Sequence, residues 1–357
     1  MNNLLVFGLA SAVIILTFFS HSKTKDKDDK DKDDKNDNDI NNSLLSNTCE
    51  SLCDIDAWQL VLEYCDFIDK IKVKQICKVF NDDLKIYDFY NLDKKYIRLL
   101  TNDILENHLF IKKLNVCNNV NVTDVNYLKT LEWLNASWQS GINDAGINSL
   151  NLKKLDVYNN PKVTNVNHMV NLKVLNAGWQ CGITDAGINC LNLLIELNVS
   201  NNPKITNLNH MDKVEILYAM DEAGVDNSGI KNLLNLKQLY SRDNIKITNI
   251  NHMINLETLY AQYNCGIDDV GISSLNLKLL NANDNNKITT VNHMNNLETL
   301  YADSRSAITN KGIEELNLKF IHCTGNQNIT EEGLDHMINL EKFDNTTKYL
   351  RAVKNGI

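Results

Sequence analysis

The chain has 357 residues and a net charge of −9, from 36 Lys and Arg against 45 Asp and Glu. Two prolines and 14 glycines exclude collagen-like and proline-rich classes. No segment clusters Lys and Arg as phosphate binding requires, so nucleic acid is not an expected partner. The nine cysteines are an odd number with no CxxC pair, which argues against a structural zinc site or a disulfide framework and for free buried thiols in a reducing compartment.

Residues 1–22 hold an uncharged apolar run, Leu4 to Phe19. As a helix it rises about 24 Å, short of a hydrocarbon core of roughly 30 Å unless the flanking polar residues extend it. No basic residue precedes it and no small-x-small cleavage site follows it, so a membrane anchor is expected, with a cleaved signal as the alternative. Lys23, Lys25 and Lys27 come directly after the run, and the positive-inside rule then places the rest of the chain on the cytosolic side. Residues 23–49 begin with six Lys and eight Asp between Lys23 and Asp39, a composition that cannot bury apolar area and reads as a disordered linker.

Residues 50–85 show apolar side chains at helical spacing: Trp58, Val61, Leu62 and Cys65, then Ile71, Val73, Ile76, Cys77 and Phe80. Two or three short helices of this size need a neighbouring domain or a partner to be stable. Leu52, the acidic Asp56, the run Val61-Leu62-Glu63-Tyr64-Cys65-Asp66, and Ile76-Cys77-Lys78 followed by Phe80 resemble an F-box. Cys53 stands where that family usually has proline, and Cys65 where it has leucine. The resemblance implies docking to a Skp-family adaptor through Leu52, Val61, Leu62, Tyr64, Ile76 and Phe80. The competing reading is a helical cap on the domain that follows. Residues 86–110 are amphipathic and are expected to form a helical linker.

From residue 111 onward the chain repeats itself. The pentad ending at Met169 returns at Met211, Met253 and Met294, at intervals of 42, 42 and 41 residues. Two units of about 21 residues fill each interval, and both carry the frame L-x-x-L-x-[apolar]-x-x-[Asn or polar]. Eleven frames run from Leu114 to Ile321, and Phe343 opens a degenerate last one. This resembles a leucine-rich repeat, and the expected fold is an α/β leucine-rich-repeat solenoid over residues 111–357, with room for only a turn or 3₁₀ segment on the convex side of many repeats. Each L-x-L segment should be a short strand with its Leu inward and the next residue outward. Asn119, Asn160, Asn202, Asn244, Asn264, Asn285 and Asn326 fall at the final frame position, where a side-chain amide can satisfy turn backbone. His168, His210, His252, His293 and His336 recur too far apart to share a metal ion and are expected to be structural.

The outward position reads Asn115, Asn135, Asp156, Asn176, Asn198, Tyr218, Tyr240, Tyr260, Asn281, Tyr301 and His322, with Trp138, Trp179 and Tyr263 to one side. Exposed aromatics on a concave face are favoured binding anchors, so Trp138, Trp179, Tyr218, Tyr240, Tyr260 and Tyr301 are the candidate contacts for an unknown protein target. No phosphate loop, HExxH or GxSxG occurs, so no enzyme activity, metal or cofactor is expected. Resemblance to F-box/leucine-rich-repeat proteins implies a substrate-recognition subunit of a cullin-type ubiquitin ligase, in which the adaptor and cullin complex bind the F-box and the repeats hold the target. The alternative is a membrane-associated repeat scaffold with no ubiquitin role. The Asn-rich, Pro-poor composition is similar to that of such proteins from giant viruses of amoebae, for which the anchoring membrane would be a host one.

Overall fold

The computed structural model describes residues 55–76 and 78–344. Among the described residues three helices come first: α1 (Ile55–Tyr64), α2 (Phe67–Lys74) and α3 (Lys78–Asp83). Asp66 caps α2 by accepting the amide N–H of Asp69 at 2.8 Å, which satisfies one of the free donors of the first turn. The apolar spacing read from the sequence closes a small core of Trp58, Leu62, Val73, Phe80 and Leu84.

The described residues then form one parallel sheet of thirteen strands in sequence order. The first is β1 (Asp88–Phe89), which pairs with β2 (Lys113–Asn115). Residues 86–110 therefore do not make a purely helical linker. They give β1 and two short helices, α4 (Lys94–Ile97) and α5 (Asn102–Glu106), and Ile86, Phe89, Leu92, Ile97, Leu100 and Leu105 join the main core. The physical reason is that a solenoid end must cover its last apolar layer, and this segment supplies a first, irregular turn.

The eleven frames correspond to eleven three-residue strands, from β2 through β3 (Trp133–Asn135) and β4 (Lys154–Asp156) to β12 (Phe320–His322). The strand at Lys342–Asp344, β13, follows them at the frame opened by Phe343. In each strand from β2 to β12 the central Leu or Ile is buried, and in nearly all of these the two flanking residues are half-buried on the concave face. Register is one-to-one throughout, so equivalent residues stand in columns. The helical part of the α/β expectation shrinks to single turns: α6 (Asp185–Ile188) and 3₁₀ turns such as Ala145–Ile147 and Val270–Ile272. The spacing forces this, since about 21 residues cannot hold a strand, two turns and a full helix. Glycine allows the close stacking: a Cβ on Gly187 would lie 2.1 Å from the carbonyl oxygen of Thr164 in the preceding repeat.

The recurrent polar residues hold one turn to the next. Asn202 donates from Nδ2 to the carbonyls of Ala177 (2.9 Å) and Ile183 (3.2 Å), and its Oδ1 accepts the amide of Lys204 (3.1 Å). Asn160, Asn244, Asn285 and Asn326 repeat this pattern, each buried. Asn264 does not belong to this ladder. It is exposed and bonds to Asp243 at 3.2 Å. Buried Asn occurs in every second repeat. The intervening repeats bury Ser140, Cys181, Ala223, Cys265 and Ser306 next to the same turn. Burial pushes the Cys181 thiol up to about 11, which keeps it neutral and inert.

The Asn-x-Asn-His-Met motif works in both directions along the solenoid. Asn167 donates forward to the carbonyl of Ala186 (2.7 Å) and accepts from the amide of Cys190 (2.9 Å), while His168 Nε2 sits 3.0 Å from the carbonyl of Ile147 behind it. His210, His252, His293 and His336 make the same contact to the repeat before. A carbonyl oxygen only accepts, so Nε2 carries the proton in each. The methionines that end the motifs are buried.

The helical module lies against the first turn of this solenoid. Phe67 meets Phe89 edge-on with ring centroids 5.1 Å apart, Ile71 packs on the same core, and Gln59 exchanges hydrogen bonds with the backbone of Lys85 at 2.8 Å in both directions.

Candidate functional site

Three columns of side chains face outward from the sheet, and the edge next to them is set by a backbone feature that recurs in almost every repeat. Asn118, Trp138, Asn159, Trp179, Asn201, Asp221, Asp243, Tyr263, Asp284 and Ser304 all have φ between 44° and 60°, and Gly325 has φ of 74°. That left-handed conformation suits Gly, Asn and Asp, and it disfavours bulky side chains. Trp138 (φ 58°), Trp179 (φ 60°) and Tyr263 (φ 54°) occupy it nevertheless. Their rings stay open to solvent, at 44%, 41% and 43% exposure. Tyr158 stands between the two tryptophans, with centroids 5.6 Å from Trp138 and 6.3 Å from Trp179. The three form a continuous aromatic strip that sequence reading found only in part, because Tyr158 comes from the next column.

The tyrosine column has a different character. Tyr218, Tyr240 and Tyr260 stack face to face, with centroids 4.4 Å and 4.5 Å apart and ring planes 16° and 15° from parallel. Their faces cover one another, so they present ring edges and hydroxyls. Burial raises the hydroxyl pKa of all three, so they remain neutral donors. Tyr301 is separated from the stack by Asn281 and pairs with Phe320 (5.4 Å) and His322 (6.0 Å) instead. The asparagine end of the column has a structural use. The Oδ1 of Asn115, Asn135, Asn176 and Asn198 accepts the backbone N–H two residues on, at 2.9 to 3.4 Å. Asp156 does the same for Tyr158 at 3.0 Å, and burial raises its carboxyl pKa.

The residues assigned to adaptor docking divide sharply. Leu62 (1% exposed) and Phe80 (2%) point into the module's own core, and Val61 and Ile76 pack against it. Tyr64 is 78% exposed and lies four residues after the exposed Leu60 on the same face of α1, and Ile68 of α2 is exposed as well. Leu52 lies outside the described residues. Helical periodicity identifies an apolar stripe, but it cannot say which of two adjacent apolar positions faces the core.

The expected localisation is corrected. Among the described residues no helix is long and apolar enough to cross a membrane, and the run Leu4–Phe19, on which the anchor reading rested, lies outside them.

No protein-family model matches the chain, and no curated protein matches it in sequence. Solved structures with some similarity carry leucine-rich repeats. The functional domain of InlJ from Listeria monocytogenes is 20% identical over 66% of this chain and 58% of its own length, with a TM-score of 0.46. The internalin InlF of the same organism is 17% identical over 69% of this chain and 89% of its own, with a TM-score of 0.44. TLR13, in its complex with ssRNA13, is 19% identical over 66% and 39%, with a TM-score of 0.47. The chain thus spans less than two thirds of the InlJ domain. The repeat architecture itself stands on the strand register and the buried leucine frame.

Proposed function

We propose that the chain recruits a protein target on the concave side of its repeats and presents it to an adaptor bound by the helical module. The observation that carries the first half is the set of aromatics at left-handed positions. A backbone held in a sparsely populated region by a bulky side chain costs of order 1 kcal/mol or more, and such residues concentrate where binding needs them. Three open rings on one edge provide apolar area at low rotamer cost. The tyrosine ridge adds hydroxyls and ring edges next to them. Trp138, Trp179, Tyr218, Tyr240, Tyr260 and Tyr301 together make up the target surface.

The second half rests on the F-box resemblance and on the exposed Leu60, Tyr64 and Ile68. Docking of a Skp-family adaptor there, with its cullin complex, would make the chain a substrate receptor of a ubiquitin ligase. A second reading, an interaction scaffold whose helical module is only a cap, is favoured by the packing of Phe67 and Ile71 on the solenoid core.

Purification of the tagged chain from eukaryotic cells decides between them. The expected result is a co-purifying Skp-family adaptor that is lost with Leu60→Asp and Tyr64→Asp, while the target is retained. Trp138→Ala with Trp179→Ala should have the converse effect. Absence of the adaptor from the unmutated chain would leave the scaffold reading. Substitution at Leu62 would not discriminate, because a charge there unfolds the module's core.

A further inference from the structure

Among the described residues, lysines and aromatic rings gather at the N-terminal end of the concave face. Trp133 of β3 lies between lysines of the two adjacent strands. Lys113 Nζ is 4.1 Å and Lys154 Nζ 5.6 Å from its ring centroid, and Tyr90 meets the same ring edge-on at 6.3 Å. Next to it, where the helical module meets the first turn, a cleft is lined by Gln59, Glu63, Lys70, Asp88, Lys112 and Lys113. Lys85 also reaches this cleft, but its ammonium donates to the carbonyl of Asp82.

The contrast with other lysines is informative. One residue before the strands, Lys153, Lys237, Lys278 and Lys319 each pair with a Glu of the preceding repeat, at 2.9 to 3.0 Å. Among the described residues, Lys70, Lys112, Lys113 and Lys154 make no such ion pair, although Asp88 stands opposite Lys113 in the strand register and Asp156 feels the charge of Lys154 on its own strand. Lys113 and Lys154 are held against an indole, which orients an ammonium without neutralising it. Asn135, two residues from Trp133 on the same strand face, uses its Oδ1 on Ser137 and keeps its amide N–H groups for another acceptor.

We propose that this corner binds an extended acidic peptide segment of a partner, with carboxylates on Lys113 and Lys154 and a backbone carbonyl on Asn135. The two lysines stand two strands apart, about 10 Å, which three residues of extended chain span. The patch is small, and the chain's net charge of −9 opposes a long polyanion, so the charge complementarity favours a short acidic segment over nucleic acid. The site is separate from the aromatic edge and does not depend on it.

The test uses the full chain and a fluorescein-labelled peptide of alternating Glu and Ala, a Lys counterpart, and single-stranded oligothymidylate of matched charge, read by anisotropy. The Glu peptide should bind and the Lys peptide should not. Lys113→Glu with Lys154→Glu should weaken binding by about tenfold or more, since like charges now face each other. The milder Lys113→Gln should weaken it less, with an unchanged melting curve. Lys278→Glu with Lys319→Glu, and Trp138→Ala with Trp179→Ala, should leave it unchanged. The proposal is overturned if the Glu peptide fails to bind at about 100 μM, if the control lysine pair matters equally, or if oligothymidylate binds as tightly as the peptide.

Discussion

A tryptophan at φ 58° and another at φ 60° are costly where neighbouring repeats use asparagine at the same backbone position. Replacement by Asn should relieve that cost. Trp179→Asn is therefore expected to melt at the same temperature as the parent or higher, while losing target capture; a lower melting temperature would mean that the ring contributes more by packing than its conformation costs. Asp156 offers a second residue-scale test. It stands in a column otherwise filled by Asn on either side, and burial raises its carboxyl pKa. A raised folded-state pKa means that the fold prefers the neutral acid, so stability falls as pH rises from the unfolded value near 3.9 through the raised folded value. Asp156→Asn keeps the acceptor for Tyr158 and should raise the melting temperature at pH 7. The gain should shrink below about pH 4, where the parent carboxyl is protonated. A gain that is the same at both pH values would exclude the charge as its cause.

At the scale of elements, the turns at Asp144, Asp185, Asn227, Asp269 and Asn310 are each positioned by that polar residue reaching into the next repeat. Asp185 accepts the amides of Thr206 (2.7 Å) and Asn207 (3.1 Å) through Oδ1 and the Thr206 hydroxyl (2.6 Å) through Oδ2. Asn227 does the equivalent work two repeats on, accepting from Thr248 and Asn249 and donating from Nδ2 to the Thr248 hydroxyl at 2.7 Å. The chain thus contains both solutions. Asp185→Asn should cost little, and Asp185→Ala about 1–3 kcal/mol, because two amides and a hydroxyl lose their acceptor. Equal denaturation midpoints for the Asn and Ala variants would refute this account of the turn. The same scale explains why the helical module was readable as helices but not as a surface. Its periodicity marked the stripe, while the choice of Leu62 for the core and Tyr64 for solvent depends on how the first helix packs with Val73 and Phe80.

For the whole molecule, one hydrophobic cluster runs from Ile86 to Met337, so stability is shared between neighbours along the axis. A lesion in the middle weakens two interfaces that both halves need. A lesion near the end can be shed by fraying. Asn202→Leu should lower the unfolding midpoint of the entire solenoid, whereas Asn326→Leu should cost hydrogen-exchange protection only in the last two or three strands. Uniform loss of protection in both variants would show that the solenoid unfolds as one unit with no nearest-neighbour limit.

The sequence by itself determined the repeat, its leucine frame, the inward and outward alternation of the strands, and the structural role of the Asn and His series. These are properties of a period: once one turn is specified, the next must match it to bury its face. It also located Trp138, Trp179 and the tyrosines on the outward side. Whatever depends on two columns meeting was decided by the tertiary structure. The stacking that hides the faces of Tyr218, Tyr240 and Tyr260, the insertion of Tyr158 between two tryptophans, and the departure of Asn264 from the buried ladder depend on register and rotamer, which a linear frame does not contain. The basic corner is the clearest case. Lys70, Lys113 and Lys154 are scattered over more than eighty residues among acidic neighbours, and no window of the sequence shows a cluster. Parallel strands in register set Lys113 and Lys154 either side of Trp133, and the docking of the helices brings Lys70 alongside, because a solenoid converts a spacing of about one repeat into a separation of about 5 Å.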